Sequence, residues 1–373
     1  MNKQSIIKNL SNISGWRTKR KLVIIESDDW GSIRMPSSVV FDKLVSGGID
    51  LLSGDGFRFN KYDSLESSED LNCLFDTLNN VRDISGRPAV FTPVSVVANP
   101  DFRKIKQADF REYFYEPFTE TLKKYPGCEN TFALWNQGIS NRLFMPQFHG
   151  REHLNVKAWL RALQNKNNKI LLAFENEMWG ISTAQDPQIR LEIQAAFDHI
   201  DPTDVTYHKQ VITTGLDLFE KTFGYRAKFF VPPNGPFSND LIPTCYSAGI
   251  RYLSTPKIHS QPKDSGDSRK RLHWIGQKDR SGIIFITRNC FFEPSIPGID
   301  CVDACLYDIS VAFKWHKPAV ISSHRVNYTG SLDKRNRDNG LNKLQILLKE
   351  IVKRWPEVEF LTSDELGDLL SDK

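Results

Sequence analysis

Two histidines stand four residues apart in the segment His149-Gly150-Arg151-Glu152-His153, and an acidic pair, Asp28-Asp29, closes an apolar run far upstream. On a helical turn, residues i and i+4 lie on the same face, so both imidazoles can bind a single divalent ion. A carboxylate from elsewhere in the chain would complete the ligand set. These residue types in this pattern predict a metal-dependent hydrolase.

Apolar runs rich in β-branched residues alternate with stretches of helical period, which is typical of βα units around a parallel sheet. The predicted strands are 21–26, 89–98, 143–148, 170–174, 228–231, 251–254, 282–287, 319–322 and 357–361. The predicted helices are 71–78, 156–163 with Asn155 as N-cap, 187–200, 207–223, 238–248, 302–314 and 341–355. This order predicts an α/β fold.

A chain of 373 residues has room for two average domains or for one α/β barrel with insertions. It contains no internal repeat and no Pro- or Ser-rich linker. We therefore expect a single catalytic barrel domain over residues 1–373, with its core at about 21–324 and a C-terminal helix and strand within 335–373. The polar segment 260–271 is predicted to be a mobile surface loop.

The composition argues against several classes of function. With 49 Lys plus Arg against 45 Asp plus Glu, the chain lacks the strongly basic balance of a nucleic-acid-binding domain. No segment is apolar over the length of a membrane span, and residues 1–21 lack the apolar stretch of a secretory signal, so we expect a cytoplasmic protein without stable membrane insertion. The six cysteines have no CxxC spacing, which argues against a disulfide framework or a structural zinc knot. The oligomeric state is left open.

Polar residues follow several of the predicted strands at the point where each strand ends. Asp28 and Asp29 follow the first strand, His149 follows strand 143–148, Asn234 follows strand 228–231, and His324 follows strand 319–322. Parallel barrels carry their chemistry at the carboxyl ends of the strands. We therefore expect these side chains to meet at one rim of the sheet.

Four motifs, in order along residues 21–324, resemble those of the polysaccharide deacetylases of the NodB-like type, which are metal-dependent carbohydrate esterases. The motifs are Ser27-Asp28-Asp29-Trp30-Gly31, His149-Gly150-Arg151-Glu152-His153, Pro232-Pro233-Asn234-Gly235 and Ile321-Ser322-Ser323-His324. The resemblance implies a distorted (β/α) barrel of that type, carrying insertions because the gap between the first two motifs is long.

The resemblance also implies a metal centre. Carried over position by position, it makes Asp29, His149 and His153 the ligands of Zn²⁺ or another divalent ion, and Asp28 the general base. The assignment is chemically sensible, because a divalent ion with an open coordination position lowers the pKa of bound water to about 7, and a free carboxylate beside it can take the proton.

The remaining implied roles concern the substrate. His324 would protonate the departing amine or alcohol, and a backbone N–H near Asn234 could assist at the oxyanion. The family makes removal of an acetyl group from an N-acetylated sugar the leading function, with a carbohydrate substrate. A cytoplasmic location would make that substrate a nucleotide-linked or lipid-linked precursor in surface-glycan assembly.

The sequence departs from the family pattern in the third and last motifs. Val231 stands where the family has the Arg that tethers the general base, Asn234 replaces an aromatic residue, and Arg325 follows the late histidine where an Asp is common. Arg288, at the end of strand 282–287, could reach the same rim from another strand. Arg288 and Glu175 complete the candidate substrate-contact residues.

Three other readings remain open. A glycoside hydrolase on a related barrel would use two carboxylates without metal, such as Asp28 with Glu175 or Glu177. A catalytically inactive homologue would keep the barrel and only bind glycan. The segment 149–153 also fits the HxxEH pattern of inverted zinc peptidases, in which both imidazoles lie inside one long helix.

Overall fold

The computed structural model describes residues 3–54, 56–263 and 268–372. Its strands are β1 (Lys21–Trp30), β2 (Phe91–Ser95), β3 (Ala98–Pro100), β4 (Tyr115–Pro117), β5 (Gln147–Phe148), β6 (Phe229–Phe230), β7 (Tyr252–Ser254), β8 (Ile258–Pro262), β9 (Ser268–Leu272), β10 (Gln277–Lys278), β11 (Ile284–Ile286), β12 (Cys290–Phe291), β13 (Ala319–His324) and β14 (Val358–Leu361).

The α-helices are α1 (Lys3–Ser11), α2 (Ser38–Ser46), α3 (Phe57–Tyr62), α4 (Ser68–Asn79), α5 (Phe102–Gln107), α6 (Phe118–Leu122), α7 (Thr131–Ser140), α8 (Val156–Gln164), α9 (Asn168–Phe174), α10 (Thr203–Phe223), α11 (Ile242–Ser247), α12 (Cys301–Lys314), α13 (Lys334–Arg354) and α14 (Ser363–Ser371). Two 3-10 turns span Asn239–Leu241 and Arg325–Asn327. Among the described residues, no helix has the length and apolar character needed to cross a bilayer.

Most strands form one sheet with the order β10-β11-β7-β6-β5-β2-β1-β13-β12, and β14 pairs with the first half of β1. The pairings are parallel except for that between β10 and β11. Within the described ranges, the end strands β10 and β12 do not pair with each other, so the sheet is a curled, incomplete barrel. The predicted α/β fold with a distorted (β/α) barrel is confirmed, and the single-domain division stays a prediction.

Strand β1 is an interior strand of the sheet, and every residue after Lys21 is buried. Alternate side chains of a strand point to opposite faces. Val23 and Ile25 accordingly pack in one apolar cluster, whereas Leu22 and Ile24 pack in another. Because both faces are covered, the strand reads in the sequence as a continuous apolar run, as central parallel strands do.

Helix α8 follows the histidine segment directly and begins where the sequence predicts. The Asn155 side chain accepts a hydrogen bond from the Ala158 N–H, and its amide group donates to the carbonyls of Ala195 and Asp198. These contacts satisfy the first turn of the helix and tie it to the segment before α10. The predicted helices 207–223, 302–314 and 341–355 are likewise confirmed within α10, α12 and α13, except for residue 355.

Two predicted elements are wrong. Residues 170–174 belong to helix α9, capped by Asn167, because an apolar run this short does not distinguish a strand from a helix. The predicted helix 187–200 consists of turns and bends, and the left-handed backbone of Arg190 (φ 65°) is incompatible with a helix there.

Three further expectations need adjustment. The predicted loop 260–271 lies largely in the hairpin of β8 and β9, and its residues 264–267 lie outside the described part of the chain. Strands β5 and β6 are only two residues long, shorter than predicted. The predicted helix 238–248 is a 3-10 turn followed by the short α11. All six cysteines are unpaired, and five of them are buried.

Candidate metal centre and active site

The acidic pair lies at the carboxyl end of β1, where the pairing with β2 loses its register between Ser27 and Trp30. In a regular strand, neighbouring side chains point to opposite faces. At this irregularity Asp29 takes a left-handed backbone conformation with φ of 76°, and both Asp28 and Asp29 line the same cavity. Such a conformation in a non-glycine residue costs roughly 1–3 kcal/mol, so backbone strain is concentrated at a candidate metal ligand.

The two histidines lie in the loop between β5 and α8, so their expected placement on a helical turn is wrong. Gly150 has φ of 115°, which takes the chain out of any helical path directly after His149. The Arg151 carbonyl accepts hydrogen bonds of 3.1 and 2.8 Å from two backbone N–H groups at the start of β3. The loop is therefore fixed to the neighbouring strand connection, and it directs both His149 and His153 toward β1.

Asp29, His149 and His153 form a compact, buried set of possible metal ligands. The Oδ1 atom of Asp29 lies 3.4 Å from Nε2 of His149 and 3.2 Å from Nε2 of His153. Two metal–ligand bonds of about 2.0–2.1 Å at a tetrahedral angle separate their ligand atoms by roughly 3.3–3.4 Å. Both observed distances exceed the ~2.7–2.9 Å of a charge-assisted hydrogen bond. The geometry therefore fits a shared divalent ion.

A hydrogen bond prepares the His149 imidazole for this role. Nδ1 of His149 lies 2.7 Å from the Val231 carbonyl, so it carries the proton, and the lone pair of Nε2 faces Asp29. Nε2 of His149 has no hydrogen-bond partner among the described residues, although it is buried. An ion held by this nitrogen would satisfy it. The ring of His153 packs against Trp179, with centroids 5.7 Å apart.

The protonation states suit metal binding as well. Burial lowers the pKa of His153, which favours the neutral imidazole. Burial alone would raise the pKa of Asp29, but the neighbouring imidazoles of His149 and His153 hold it well below its usual range. Metal ligation requires neutral imidazoles and an ionised carboxylate. The buried Asp-His-His set could therefore hold a divalent ion.

Asp28 lies beside this set and is held by Arg288. The guanidinium donates from Nη1 and Nη2 to the two carboxylate oxygens of Asp28 at 2.7 and 2.6 Å, and from Nε to Glu26 at 2.6 Å. Burial opposes ionisation, but the charge of Arg288 lowers the pKa of Asp28 below its ordinary value. Arg288, in the connection between β11 and β12, thus holds the Asp28 carboxylate in place.

His324 faces Asp28 across the neighbouring strand, because β1 and β13 pair with these two residues in register. Nε2 of His324 is 3.9 Å from Oδ2 of Asp28, and Nδ1 is 2.6 Å from Oε1 of Glu293. Glu293 is itself held by Arg58 and Asn327. Burial disfavours the charged imidazole, but the Glu293 carboxylate outweighs it and raises the pKa of His324 to about 9.

The residue after His324 supports the end of β13 from inside the protein. Arg325 is fully buried and donates to Asp63 at 3.0 Å and to Glu66 at 3.1 Å. We expect Arg325→Met to lower the free energy of unfolding by roughly 3–5 kcal/mol, because two buried carboxylates lose their cation. Urea unfolding measures this loss.

The matched control for that substitution is Arg335→Met. Arg335 also pairs with a carboxylate, that of Asp333, but its side chain is 91% exposed. Exposed pairs contribute little because water screens them, so we expect nearly unchanged unfolding. Equal urea midpoints for the two variants would show that the buried Arg325 cluster is not structurally important.

The site residues line a cavity of about 680 Å³ at the carboxyl end of the sheet. Asn234, predicted as a substrate contact, lies in its wall in a left-handed turn with φ of 54°. Glu175 is not among the lining residues. It ends α9, the predicted strand that is in fact a helix, and pairs with Lys106 at 2.6 Å on the surface. The prediction that Glu175 contacts the substrate is therefore wrong.

Sequence reasoning missed Glu293 and Arg34. Glu293 follows the apolar run of β12, so the rule that polar residues after parallel strands face one rim would have found it. Arg34 also lines the cavity, but it lies in a loop after β1 and the sequence around it carries no comparable signal.

The structure disagrees with the inverted zinc peptidase reading. That reading needs both imidazoles and the intervening Glu inside one helix, and residues 149–153 are not helical. The Glu152 carboxylate is buried in an ion pair with the neighbouring Arg151, at 2.7 Å, rather than directed at the two imidazoles. It is thus not placed as a general base.

Solved structures with similar folds were found. Polysaccharide deacetylases are among them. A putative polysaccharide deacetylase from Mycobacterium smegmatis is 9% identical over 96% of this chain and 92% of its own, with a TM-score of 0.43. A probable polysaccharide deacetylase from Pseudomonas aeruginosa PAO1 is 8% identical over 94% and 91%, with a TM-score of 0.45. The PuuE allantoinase is 10% identical over 95% and 91%, with a TM-score of 0.46.

No model of a protein family matches the chain, and no curated protein does either. Since the identities are near 10% and the TM-scores are below 0.5, the activities of these proteins do not transfer to this chain. Its function has to be inferred from the geometry of its own residues.

Proposed function

We propose that this protein is a metal-dependent hydrolase that removes an acetyl group from an N-acetylated sugar. The observation that carries the proposal is the convergence of Asp29, His149 and His153 on a common point, with the carboxylate of Asp28 held beside them. Three neutral or anionic ligands with an open position are typical of a catalytic rather than a structural ion. The motif resemblance supports the same reaction.

The chain's own residues supply the proton transfers. Asp29, His149 and His153 would hold a divalent ion, Zn²⁺ or another, which would supply Lewis-acid activation of a water molecule and of the acyl carbonyl. Asp28 takes the proton of the attacking water, and the tether to Arg288 keeps that carboxylate ionised and in place. The backbone near Asn234 is proposed to donate to the oxyanion.

His324 completes the reaction as general acid. With its Nδ1 held by Glu293, the imidazolium presents Nε2 toward Asp28 and the cavity. The imidazolium donates its Nε2 proton to the amine nitrogen as the carbon–nitrogen bond breaks, which releases acetate and a free amine. The cavity volume suits a small saccharide, and the aromatic side chains of Phe59 and Phe291 in its wall offer faces for sugar rings.

Metal removal tests the proposal directly. We expect protein treated with a chelator to release no acetate from N-acetylated saccharides, and we expect added Zn²⁺ or another divalent ion to restore release. Acetate is measured by a coupled assay. The metal-free glycoside hydrolase makes the opposite prediction, because it would cleave glycosidic bonds equally well in chelator.

The geometry favours neither the metal-free glycosidase nor the inactive glycan-binding homologue. The paired-carboxylate glycosidase would need Asp28 with Glu175 or Glu177, and neither glutamate lines the cavity that holds Asp28. An inactive homologue would lack a tether for the general base, whereas Arg288 holds Asp28 here. Acetate release separates a binding protein from an enzyme.

The pH dependence tests the role of His324. A general acid must be protonated, so we expect kcat to fall as pH rises through about 9, the raised pKa of His324. The ion pair with Glu293 likewise stabilises the fold below the ordinary His pKa of about 6.5, and this contribution is lost as pH rises through about 9.

The matched variant is Glu293→Gln, which keeps the size of the side chain but removes its charge. We expect the alkaline fall of kcat to move to lower pH by more than about one unit, while the zinc content stays equal to that of the wild type. An unchanged pH profile in Glu293→Gln would rule out His324 as the general acid held by this carboxylate.

The cellular setting stays a prediction. The proposed substrate of this protein is a nucleotide-linked or lipid-linked saccharide, a cytoplasmic precursor in surface-glycan assembly. Cell fractionation tests the location, and recovery of the protein in the envelope would overturn it.

A further inference from the structure

Arg34 lines the candidate active-site cavity and is a buried cation that forms no ion pair with the described residues. Only 5% of the surface of Arg34 is exposed. The guanidinium donates from Nη2 to the Gln194 amide oxygen, a neutral partner, and its Nε has no hydrogen-bond partner in the described ranges. The Phe59 and Trp179 rings lie on it, each with its centroid 5.4 Å from the guanidinium carbon.

The other long cations of the cavity show how unusual this is. Arg288 pairs with Asp28 and Glu26, and Lys8 pairs with Asp308. Lys257 donates to the Ser11 carbonyl and hydroxyl and is only half-buried. Of the four long cations that line the cavity, Arg34 is the one that is buried without a carboxylate partner among the described residues.

None of the carboxylates that influence Arg34 forms an ion pair with it in the described ranges. Asp29 faces the two imidazoles, Asp63 pairs with Arg325, and Glu192 accepts from Ser182 and Thr183. Burial consequently lowers the pKa of Arg34 despite their charges. A divalent ion at Asp29 would add further positive charge to this wall, so an uncompensated buried guanidinium would be still less favourable.

We propose that Arg34 forms an anion-binding subsite and that the saccharide substrate carries a carboxylate or phosphate group. This inference rests on the proposed function for the identity of the substrate. A guanidinium matches the planar oxygen pair of either anion, and the flanking aromatic rings hold it in one orientation. Such a group would pair directly with the guanidinium, which no described carboxylate does.

Binding to the zinc-loaded protein tests the subsite without requiring turnover. The probes are N-acetylglucosamine, its 6-phosphate and the corresponding uronic acid, measured by calorimetry at low salt. We expect at least one anionic sugar to bind roughly 10- to 100-fold more tightly than the neutral sugar. In Arg34→Gln this advantage should disappear while the zinc content is retained, and Arg34→Lys should restore only part of it.

The outcomes separate the possible explanations. The anion whose preference depends on Arg34 identifies the source, phosphate or carboxylate. Equal binding of neutral and anionic sugars to the wild type would overturn the subsite. A preference that persists in Arg34→Gln would also overturn it, because the anion would then be binding the metal or the general surface charge.

Two controls complete the experiment. The variant Arg335→Gln removes a cation whose side chain is 91% exposed, and it should keep the full preference. If Arg34 acted on the reacting carbonyl instead, Arg34→Gln would lower kcat equally for neutral and anionic sugars, which would contradict the subsite. Failure of deacetylation itself would appear as an Arg34-dependent anion preference without acetate release from any sugar.

Discussion

Asp29→Asn should abolish both zinc retention and acetate release. Asparagine keeps the size of the side chain and tolerates the left-handed backbone at this position, so the fold is expected to persist. What is lost is the charged oxygen that lies within 3.4 Å of both imidazole Nε2 atoms. Loss of an outer-shell hydrogen bond costs about 10- to 100-fold in metal affinity, and loss of a direct ligand should cost more.

Zinc per chain after dialysis and acetate release are the two measurements for this variant. The matched control is Asp42→Asn, which makes the same chemical change at an exposed position on α2. His149→Ala should behave like Asp29→Asn, whereas His316→Ala, at an exposed histidine, should leave both readouts unchanged. Equimolar zinc in Asp29→Asn would contradict the proposed ligand set.

Arg288→Met should have the second largest effect on activity, and it should lower kcat without loss of zinc. Its zinc content is expected to stay equimolar, because Arg288 does not face the ligand set, while kcat falls by roughly 10²- to 10⁴-fold as the general base loses its tether. Arg288→Lys should not rescue activity. One ammonium cannot reproduce the paired hydrogen bonds to Asp28 together with the third to Glu26.

The same substitution leaves two buried carboxylates unpaired and should cost roughly 3–5 kcal/mol of unfolding free energy. The double variant Glu26→Gln with Arg288→Met removes one buried charge of each sign and should recover much of that stability. Asp28 is still untethered in it, so kcat should stay low. A folded, zinc-loaded double variant with wild-type kcat would contradict the role of Arg288.

Much of the site could be predicted because its residues follow strands. Asp28, Asp29, His149, Asn234 and His324 all come directly after apolar runs, and the carboxyl ends of parallel strands meet at one edge. All five side chains line the cavity in the structure. The helix α8 was predictable too, because Asn155 precedes a run of helical period.

The remainder depends on contacts that no local pattern encodes. The bulge in β1 that turns both Asp28 and Asp29 into one cavity is set by the pairing with β2, more than sixty residues away. The histidine spacing suggested a helix, but Gly150 and the tie to β3 select a loop. Glu175 was misplaced because the apolar run before it is a capped helix.

The central claim is that Asp29, His149 and His153 hold one divalent ion. Anomalous diffraction at the zinc absorption edge, from crystals of the zinc-loaded protein, tests it most directly. The account predicts one strong peak within about 2.0–2.2 Å of Asp29 Oδ1 and of Nε2 of both histidines. A zinc-loaded crystal with no peak between these three atoms would contradict it.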